Sequence, residues 1–322
     1  MLPKRVVFAA NATPISGAGH LMRLIGLAKA MPSSIKKIFV GSVTIPWATE
    51  LTRNTFVSAN LIDSRELYDK NNLIIVDSYD YEFCSFVRSN FAHSHIIQIV
   101  DRYTHFLPDS QLIVMDLPFA YKSRSVEGRV IAHGIKFLPK RQFSSSLREY
   151  SKTAKRVLVT TGGTANESVY SQLIEELTQD LYREIEFNFI GKSKLNLRTN
   201  LNFRFHEPGS SFESITSMCD TAVSASGTTM WDLFANQLVV GLTAVADNQL
   251  VNFRFATESH QALPVFQPKS QVLIKENLRL LLFDEDVRKR LHSNISGEYD
   301  FLGAERVCEL IFRVYREGSR LI

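Results

Sequence analysis

Short runs of β-branched and other apolar residues alternate with helical patterns along the whole chain, and this alternation restricts the fold more than any other feature. Residues 6–10 have the pattern of a buried strand, and the apolar positions from His20 to Met31 have helical spacing as far as Pro32. Further strands in the first half are predicted at residues 37–41, 73–77, 96–101 and 112–115. Strands separated by helices form right-handed crossovers and build a parallel sheet covered on both faces. The sequence therefore predicts an α/β fold.

The same alternation starts again after a basic segment. Between residues 140 and 156 basic side chains outnumber acidic ones. This composition favours a solvated interdomain linker, and a wall for an anionic ligand is the alternative. Strands of the second half are predicted at residues 156–161, 185–190, 203–206, 221–224 and 238–244. The tail beyond residue 271 has helical spacing.

Two Rossmann-like domains follow from this organisation. A chain of 322 residues has room for two domains of ordinary size. We expect them at residues 1–145 and 146–322, with the last helices able to pack back on the first domain. Such domains, facing each other across a cleft, bind ligands beyond the carboxyl ends of their strands. Functional residues are therefore expected in the loops that follow strands.

Composition excludes several classes of protein. Apolar residues make up 45% and charged residues 22%, which are ordinary globular values. The net charge of +4 suits an anionic small molecule and is too diffuse to predict nucleic-acid binding. Three widely spaced cysteines without a CxxC motif predict neither disulfides nor a zinc site and fit a reducing cytoplasm. No apolar run approaches the roughly 20 residues of a membrane span, and the one after Arg5 is too short for a signal peptide.

The loop after the first strand carries the strongest functional pattern. It contains Gly17, Gly19 and His20, and Arg23 follows three positions later. The glycines allow a tight turn and a close approach to a ligand, and the start of the next helix offers amide groups to an anion. A neutral histidine there could act as a general base. The alternative is a plain turn with a packing or capping histidine.

The loop after the strand at residues 73–77 combines acids with phenols. Asp77 and Asp80 alternate with Tyr79 and Tyr81. Such side chains suit sugar hydroxyls or acid–base catalysis, and Tyr79 is favoured over Asp80 for the catalytic role. Alternatively, Asp77 is the N-cap of the next helix.

Two loops of the second half have the composition of a phosphate site. Gly163, Thr164 and Asn166 follow the strand at residues 156–161, without the lysine of a Walker loop. The other loop supplies small residues and hydroxyls before a helix, at Ser226, Gly227, Thr228 and Thr229. Asp232, one turn into that helix, could accept both hydroxyls of a ribose. The alternative is an N-cap at Thr228 and a surface acid at position 232.

A third loop of the second half carries amides. Asn248 and Gln249 follow the strand at residues 238–244. Their side chains suit sugar hydroxyls, or they belong to a helix cap. No histidine or cysteine cluster has metal-ligand spacing, so we expect no metal and no cofactor.

Taken in order, these motifs resemble the nucleotide-sugar enzymes of the GT-B fold. The resemblance rests on GAGH at residues 17–20 with Arg23, GGT at 162–164, SGTTMWD at 226–232 and DNQ at 247–249. It covers about residues 5–260 and is greatest toward the UDP-sugar hydrolases of pseudaminic acid biosynthesis. These are similar to the N-acetylglucosaminyltransferases of peptidoglycan synthesis. The order and spacing of the motifs carry the resemblance, because no single motif is specific.

The resemblance implies a second domain that binds UDP and a first domain that faces the sugar. It implies that His20 activates water at the anomeric carbon, that Tyr79 matches a family tyrosine, and that Asp232 stands where a glutamate usually binds the ribose. The residues placed by the diphosphate are Gly163, Thr164, Ser226, Gly227, Thr228 and Thr229. Asn248 and Gln249 match the family's Asn-Gln pair. The expected substrate contacts also include Gly17, Gly19, Arg23 and Asp77.

Two departures from the family pattern lie in the sugar-facing domain. The family's Asp-His-Tyr-Gly motif is Asp77-Ser78-Tyr79-Asp80 here, so its histidine is missing. The usual Asp-Asp pair appears as Val100-Asp101. The identity of the sugar, and the choice between water and another acceptor, stay open.

Three hypotheses about function remain. The leading one is a UDP-sugar hydrolase that inverts the anomeric carbon and releases UDP, in the biosynthesis of a surface-glycan sugar such as a nonulosonic acid. The second is an inverting GT-B glycosyltransferase that moves the sugar to a glycan or lipid acceptor. An exposed apolar or basic rim on the first domain would favour it through peripheral membrane contact, and Phe83, Phe86 and Val87 either form such a rim or belong to the core. The third is a nucleotide-sugar binding protein without activity. The oligomeric state is open.

Overall fold

The structure, a computed structural model, describes residues 2–58, 72–91, 94–100, 107, 109–115, 130–141, 148, 150–162, 166–191, 202–207 and 212–317. The chain divides into two compact units. The first consists of residues 1–140 and 301–322, and the second of residues 141–300. The chain thus passes to the second unit after Lys140, and its last helix belongs to the first.

A seven-stranded parallel sheet forms the centre of the first unit. Its strands are β1 (Arg5–Ala9), β2 (Lys36–Val40), β3 (Val57–Ser58), β4 (Leu73–Asp77), β5 (His95–Val100), β6 (Ser110–Met115) and β7 (Val130–His133). They lie in the order β3-β2-β1-β4-β5-β6-β7. The chain winds to one side of β1 and then continues from β4 on the other. The loops after β1 and β4 therefore flank the point where doubly wound sheets bind ligands.

Helices of the first unit bury apolar faces against this sheet. They include α1 (Gly19–Ala30), α2 (Pro46–Thr55) and α3 (Tyr81–Asn90). The buried apolar side chains of α1 recur at helical spacing, at Leu21, Leu24, Ile25, Leu27 and Ala28. The helix ends where Met31 adopts an extended conformation, which the following Pro32 favours. The helix predicted for this segment is confirmed.

The second unit repeats the architecture with a six-stranded parallel sheet. Its strands are β8 (Arg156–Thr160), β9 (Glu186–Ile190), β10 (Phe203–His206), β11 (Thr221–Ala225), β12 (Val239–Thr243) and β13 (Leu263–Pro264). They lie in the order β10-β9-β8-β11-β12-β13. The winding changes direction between β8 and β11. The loops after these two strands therefore correspond to those after β1 and β4.

Six helices described in the second unit connect and cover its strands. They are α4 (Glu167–Leu177), α5 (Phe212–Met218), α6 (Thr228–Ala235), α7 (Leu250–Glu258), α8 (Lys275–Phe283) and α9 (Glu285–Ile295). Arg288 of α9 has no solvent exposure. It donates to Ser151 O at 3.0 Å, to Leu281 O at 2.8 Å and to Thr221 Oγ1 at 2.8 Å. One buried guanidinium therefore joins α9 to α8, to the start of β11 and to the segment before β8.

The C-terminal helix α10 (Gly303–Glu317) completes the core of the first unit. Its buried face consists of Ala304, Val307, Cys308, Ile311 and Val314. Cys308 Sγ lies 3.7 Å from Leu27 O of α1. At the helix start, a Cβ on Gly303 would lie 2.0 Å from Leu138 O. Glycine is therefore required there by close approach of two backbone segments.

Three short strands were not among those predicted, namely β3, β7 and β13. Two of them have only two residues, which is too short to show a period. Among the described residues, no helix combines the length and apolar character needed to cross a bilayer.

Candidate functional site

Three side chains meet at the carboxyl edge of the first sheet. Asp77 is the last residue of β4, His20 lies in the first turn of α1, and Arg23 lies at the start of its second turn. Their spacing of three residues puts His20 and Arg23 on the same face of the helix. Strands β1 and β4 are direct neighbours, with Ala9 paired to Val76. The adjacent ends of these strands therefore bring the three side chains together.

Hydrogen bonds join these side chains into one network. His20 Nδ1 lies 2.6 Å from Asp77 Oδ1. Arg23 binds the same carboxylate through Nε to Oδ2 at 2.7 Å and through Nη2 to Oδ1 at 2.8 Å. Solvent reaches 5% of His20, 5% of Arg23 and 1% of Asp77. Buried, charge-assisted and bidentate contacts of this kind hold side chains in one geometry.

The network also determines which nitrogen of His20 carries the proton. Arg23 Nη2 lies 3.0 Å from His20 Nδ1, but a guanidinium only donates, and the same group already donates to Asp77. An ionised carboxylate only accepts, so the short contact of Asp77 with Nδ1 requires a proton on Nδ1. Nε2 is then the ring nitrogen that carries a lone pair. His20 therefore has the tautomer that a general base needs.

Asp77 is held in its ionised form. Burial raises the pKa of this carboxyl, but the charges of Arg23 and His20 and their hydrogen bonds outweigh the burial and lower the pKa below its ordinary value of 3.8. At neutral pH the carboxylate is therefore charged. Such a carboxylate stabilises the imidazolium that forms when the histidine takes a proton.

Tyr79 lies against His20. Their ring centroids are 4.4 Å apart with an interplanar angle of 79°, and 41% of Tyr79 is exposed. The next acid, Asp80, caps α3 by accepting from the amide of Phe83 at 3.1 Å. The interpretation of Asp77 as the helix cap is therefore wrong, because its oxygens belong to the buried network.

A tight turn precedes α1. Gly17 has a φ of +70°, which residues with a Cβ rarely adopt. Its amide donates to Thr13 O at 2.8 Å, and the amide of Thr13 donates to Ser16 Oγ at 3.0 Å. Gly19 begins α1, which has no side-chain cap. The helix start therefore presents amide groups beside this turn, and contact of Gly17 and Gly19 with a ligand stays a prediction.

The loop between β11 and α6 holds the corresponding helix start in the second unit. Gly227 is the N-cap residue and no side chain caps the helix, so the interpretation of Thr228 as N-cap is wrong. Thr228 and Thr229 are half-buried at the helix start. Gln249 accepts from the amide of Val245 at 2.9 Å, and its Nε2 would lie 3.6 Å from a Cβ at Gly227. Amide donors therefore gather around Gly227, which favours an anion.

Ser226 is buried beneath this loop and stabilises it through hydrogen bonds. It has no solvent exposure, and its hydroxyl lies 3.1 Å from both Thr243 O and Gln249 O. Asn252 Nδ2 donates to Ser226 O at 3.3 Å. A hydroxyl that points into the protein does not reach a diphosphate. The expected ligand contact of Ser226 is therefore replaced by a structural role.

Asp232 is bound by a residue that the sequence did not single out. Its Oδ1 accepts from the main-chain amide of Arg141 at 2.8 Å, and its Oδ2 accepts from Nε at 2.8 Å and lies 2.7 Å from Nη2 of the same arginine. Only 5% of Asp232 is exposed. The expectation that it accepts both ribose hydroxyls conflicts with these contacts. Arg141 was missed because it lies in the basic segment interpreted as a linker, although the excess of positive charge there was a signal.

The remaining predicted residues have varied positions. Gly163 and Thr164 lie outside the described residues. Asn166, expected among the phosphate donors, instead caps α4. Asn248 is exposed in a 3₁₀ turn, Asp247–Gln249. Among the described residues, no group of three histidine, cysteine, aspartate or glutamate side chains is arranged to hold a metal ion.

The architecture of the two units defines the class of fold. Each unit is a parallel sheet with helices and with loops at a reversal of winding, and the chain has the GT-B fold. Among solved structures, the calicheamicin glycosyltransferase CalG4 has a TM-score of 0.66 and 12% sequence identity, with 100% of both chains covered. MurG of Acinetobacter baumannii has a TM-score of 0.63 and 12% identity, with 97% of this chain and 100% of that chain covered.

A third similar structure is an epimerase. The UDP-GlcNAc 2-epimerase of Neisseria meningitidis, solved with UDP-GlcNAc, has a TM-score of 0.65 and 12% identity, with 96% of this chain and 100% of that chain covered. No family model and no curated protein sequence matches the chain. At this level of identity the likeness establishes the fold.

Proposed function

We propose that this protein cleaves the anomeric C–O bond of a UDP-linked acetamido sugar, with water as the nucleophile and inversion at the anomeric carbon. The observation that carries the proposal is the buried network of His20, Asp77 and Arg23. It provides a histidine of defined tautomer at the edge of the sheet where ligands bind. The GT-B fold supports it, because the similar epimerase is named for UDP-GlcNAc and was solved with it.

In this reaction His20 Nε2 takes a proton from the attacking water. The water oxygen forms a bond to the anomeric carbon as the bond from that carbon to the diphosphate oxygen breaks, and UDP leaves with the electron pair. General-base catalysis of this kind contributes roughly 10²–10⁴-fold. Asp77 stabilises the imidazolium, and Arg23 keeps Asp77 ionised. Tyr79, half-exposed beside the base, is assigned to the sugar.

The second unit is assigned to UDP. The start of α6 at Gly227, Thr228 and Thr229 suits the charge that develops on the diphosphate as the sugar leaves. Gln249 adds an amide next to Gly227, and Asn248 is exposed in the same turn. Contacts of Gly163 and Thr164 with the diphosphate remain part of the proposal.

A glycosyltransferase is the second candidate. It is supported by the names of CalG4 and MurG and by exposed apolar residues of the first unit. Ile15, in the loop before His20, is 99% exposed and Phe86 is 53% exposed. Of the residues expected to form an apolar rim, Val87 is buried and Phe83 is partly buried in the core. An acceptor with an apolar part would fit the exposed side chains.

Isotope labelling distinguishes these functions. The full chain is incubated with a panel of UDP-N-acetylamino sugars in H₂¹⁸O. Attack by water puts ¹⁸O on the anomeric carbon, leaves UDP unlabelled and gives an inverted first product in the anomeric NMR spectrum. UDP release that requires an added hydroxyl acceptor would instead identify a glycosyltransferase. A new UDP-sugar without UDP release would identify an epimerase, and UDP binding without turnover an inactive binding protein.

Replacing the base tests the mechanism. We expect His20→Ala to lower kcat by roughly 10²–10⁴-fold, since the loss is that of general-base catalysis. His260→Asn is the matched control, because His260 is exposed and lies in the other unit. Unchanged turnover in His20→Ala would exclude His20 as the base.

A further inference from the structure

We propose that Asp232 and Arg141 form a fixed ion pair, and that the nucleotide site therefore accepts sugars linked to 2′-deoxynucleoside diphosphates as well as UDP-sugars. This inference rests on the proposed function and deepens it by naming the nucleotide class of the substrate. Its basis is the set of contacts that Asp232 already makes, because Asp232 is the carboxylate expected to bind the two ribose hydroxyls.

The acceptor capacity of Asp232 is nearly used up. A carboxylate offers about four acceptor positions. Oδ2 receives both Nε and Nη2 of Arg141, and Oδ1 receives its main-chain amide. At most about one position remains, whereas a ribose diol held through both hydroxyls needs two. Ribose binding at this carboxylate would therefore require Arg141 to leave.

Arg141 is held by more than the ion pair. Its guanidinium lies 4.8 Å from the centroid of the Phe212 ring, which is within the range of a cation–π contact. Its carbonyl accepts from Asn236 Nδ2 at 2.7 Å. Asn236 Nδ2 also donates to Asp232 O at 2.8 Å. A change of rotamer at Arg141 would therefore break the ion pair and the contact with Phe212, and it would leave the main-chain amide of Arg141 bound to Oδ1 of Asp232.

Burial favours the pair over exchange with a neutral ligand. The side chain of Asp232 is 8% exposed and that of Arg141 is 26% exposed. If the ribose displaced the Arg141 guanidinium, two neutral hydroxyls would face the buried carboxylate of Asp232. The negative charge of that carboxylate would then have no compensating cation. Asp232 also lies one turn from the start of α6, the position assigned to the diphosphate. Arg141 therefore removes a repulsion between this carboxylate and the phosphates.

The expected consequence concerns the 2′-hydroxyl of the nucleotide. If no charged acceptor recognises it, its removal costs little affinity. We expect UDP and 2′-deoxy-UDP to bind the full-length protein with dissociation constants within about threefold of each other, as measured by calorimetric titration. A hydroxyl bound by a carboxylate would instead give a difference of roughly 10–100-fold. A difference of that size in the unaltered protein overturns the proposal.

Three variants test the ion pair itself. Asp232→Asn is expected to leave the ratio of the two affinities unchanged, and a ratio that changes would mean that Asp232 recognises the ribose in the unaltered protein, which would overturn the proposal. Arg141→Met frees acceptor positions on Asp232, so we expect its ratio to shift in favour of UDP. A ratio in Arg141→Met equal to that of the unaltered protein would show that the ion pair does not decide the selectivity and would also overturn the proposal. Arg141→Lys retains the charge, and we expect its ratio to lie closer to that of the unaltered protein.

Binding measurements on the unaltered protein also distinguish a failure of this inference from a failure of the proposed function on which it rests. Binding of UDP together with strong rejection of 2′-deoxy-UDP contradicts the inference alone. Failure of UDP to bind the folded protein contradicts the proposed function, and the inference with it. Turnover of a thymidine-diphosphate sugar, with release of the nucleotide, would support both.

Discussion

Arg23 acts on His20 through Asp77. It binds both oxygens of that carboxylate and keeps it ionised. Asp77 Oδ1 in turn lies 2.6 Å from His20 Nδ1 and accepts the proton of that nitrogen. Arg23 is therefore a positioning residue, because it holds the carboxylate that determines the tautomer of the proposed base.

Asp77→Asn tests whether the carboxylate of Asp77 contributes to catalysis. The amide no longer fixes the Nδ1 tautomer or supports the imidazolium, so we expect kcat to fall by roughly 10²–10⁴-fold. Asp80→Ala in the same loop is the control: loss of a helix cap costs about 1 kcal/mol of stability and should leave kcat unchanged. Equal effects of the two substitutions on kcat would contradict the role of Asp77.

The same carboxylate makes stability depend on pH. Because the folded state holds the pKa of Asp77 below 3.8, its contribution is complete above that value and is lost as the pH falls through the lowered pKa. The acid unfolding curve of Asp77→Asn should therefore be flatter in this range than that of the unaltered protein.

Helix α10 shows how a segment distant in sequence completes an earlier core. Its apolar face packs with α1, and its start touches the backbone at Leu138. We expect Gly303→Ala to destabilise the first unit by about 1–3 kcal/mol, since the new Cβ would overlap Leu138 O and would have to displace one backbone segment. Leu302→Ala, at an exposed neighbour, should have an effect within about 0.5 kcal/mol. Chemical denaturation measures both, and equal stability of the two variants would contradict the close approach.

The short strands illustrate the limit of periodicity. Longer strands such as β1 and β4 were predicted because each contains a run of four consecutive apolar residues. Strands β3 and β13 exist because an adjacent strand supplies hydrogen-bonding partners. Pairing of this kind is a property of the sheet, and a two-residue segment carries no sign of it.

The two units have separate apolar clusters, which allows the assignment of UDP to the second unit to be tested. A cluster of the first unit contains Val6, Leu24 and Val307, and a cluster of the second unit contains Val157, Phe187 and Leu281. We expect UDP alone to slow amide exchange at α6 and at the loop before it, because a ligand stabilises the structure to which it binds. Exchange in α1 should change less. Hydrogen-exchange mass spectrometry measures this, and protection confined to α1 would refute the assignment of UDP to the second unit.

Arg288→Met provides a reference for that experiment. The substitution leaves Thr221, Leu281 and Ser151 without their donor, and we expect it to destabilise the second unit by about 3–5 kcal/mol. Exchange should accelerate across residues 141–300 and remain unchanged in β1 and α1. Acceleration in both units would show that their stabilities are coupled.

The sequence by itself determined the fold class and the loops of interest, because the periods of strands and helices and the glycines of the turns are local properties. It also singled out His20, Arg23 and Asp77 as functional residues, but it predicted that Arg23 and Asp77 contact the substrate. Only the tertiary structure decided that these two bind each other and His20, since β4 returns beside β1 across more than fifty residues of chain. The same holds for Asp232, whose partner Arg141 is 91 positions away. A carboxylate has the same letter in the sequence whether it is open to a ligand or already satisfied, and only packing distinguishes the two.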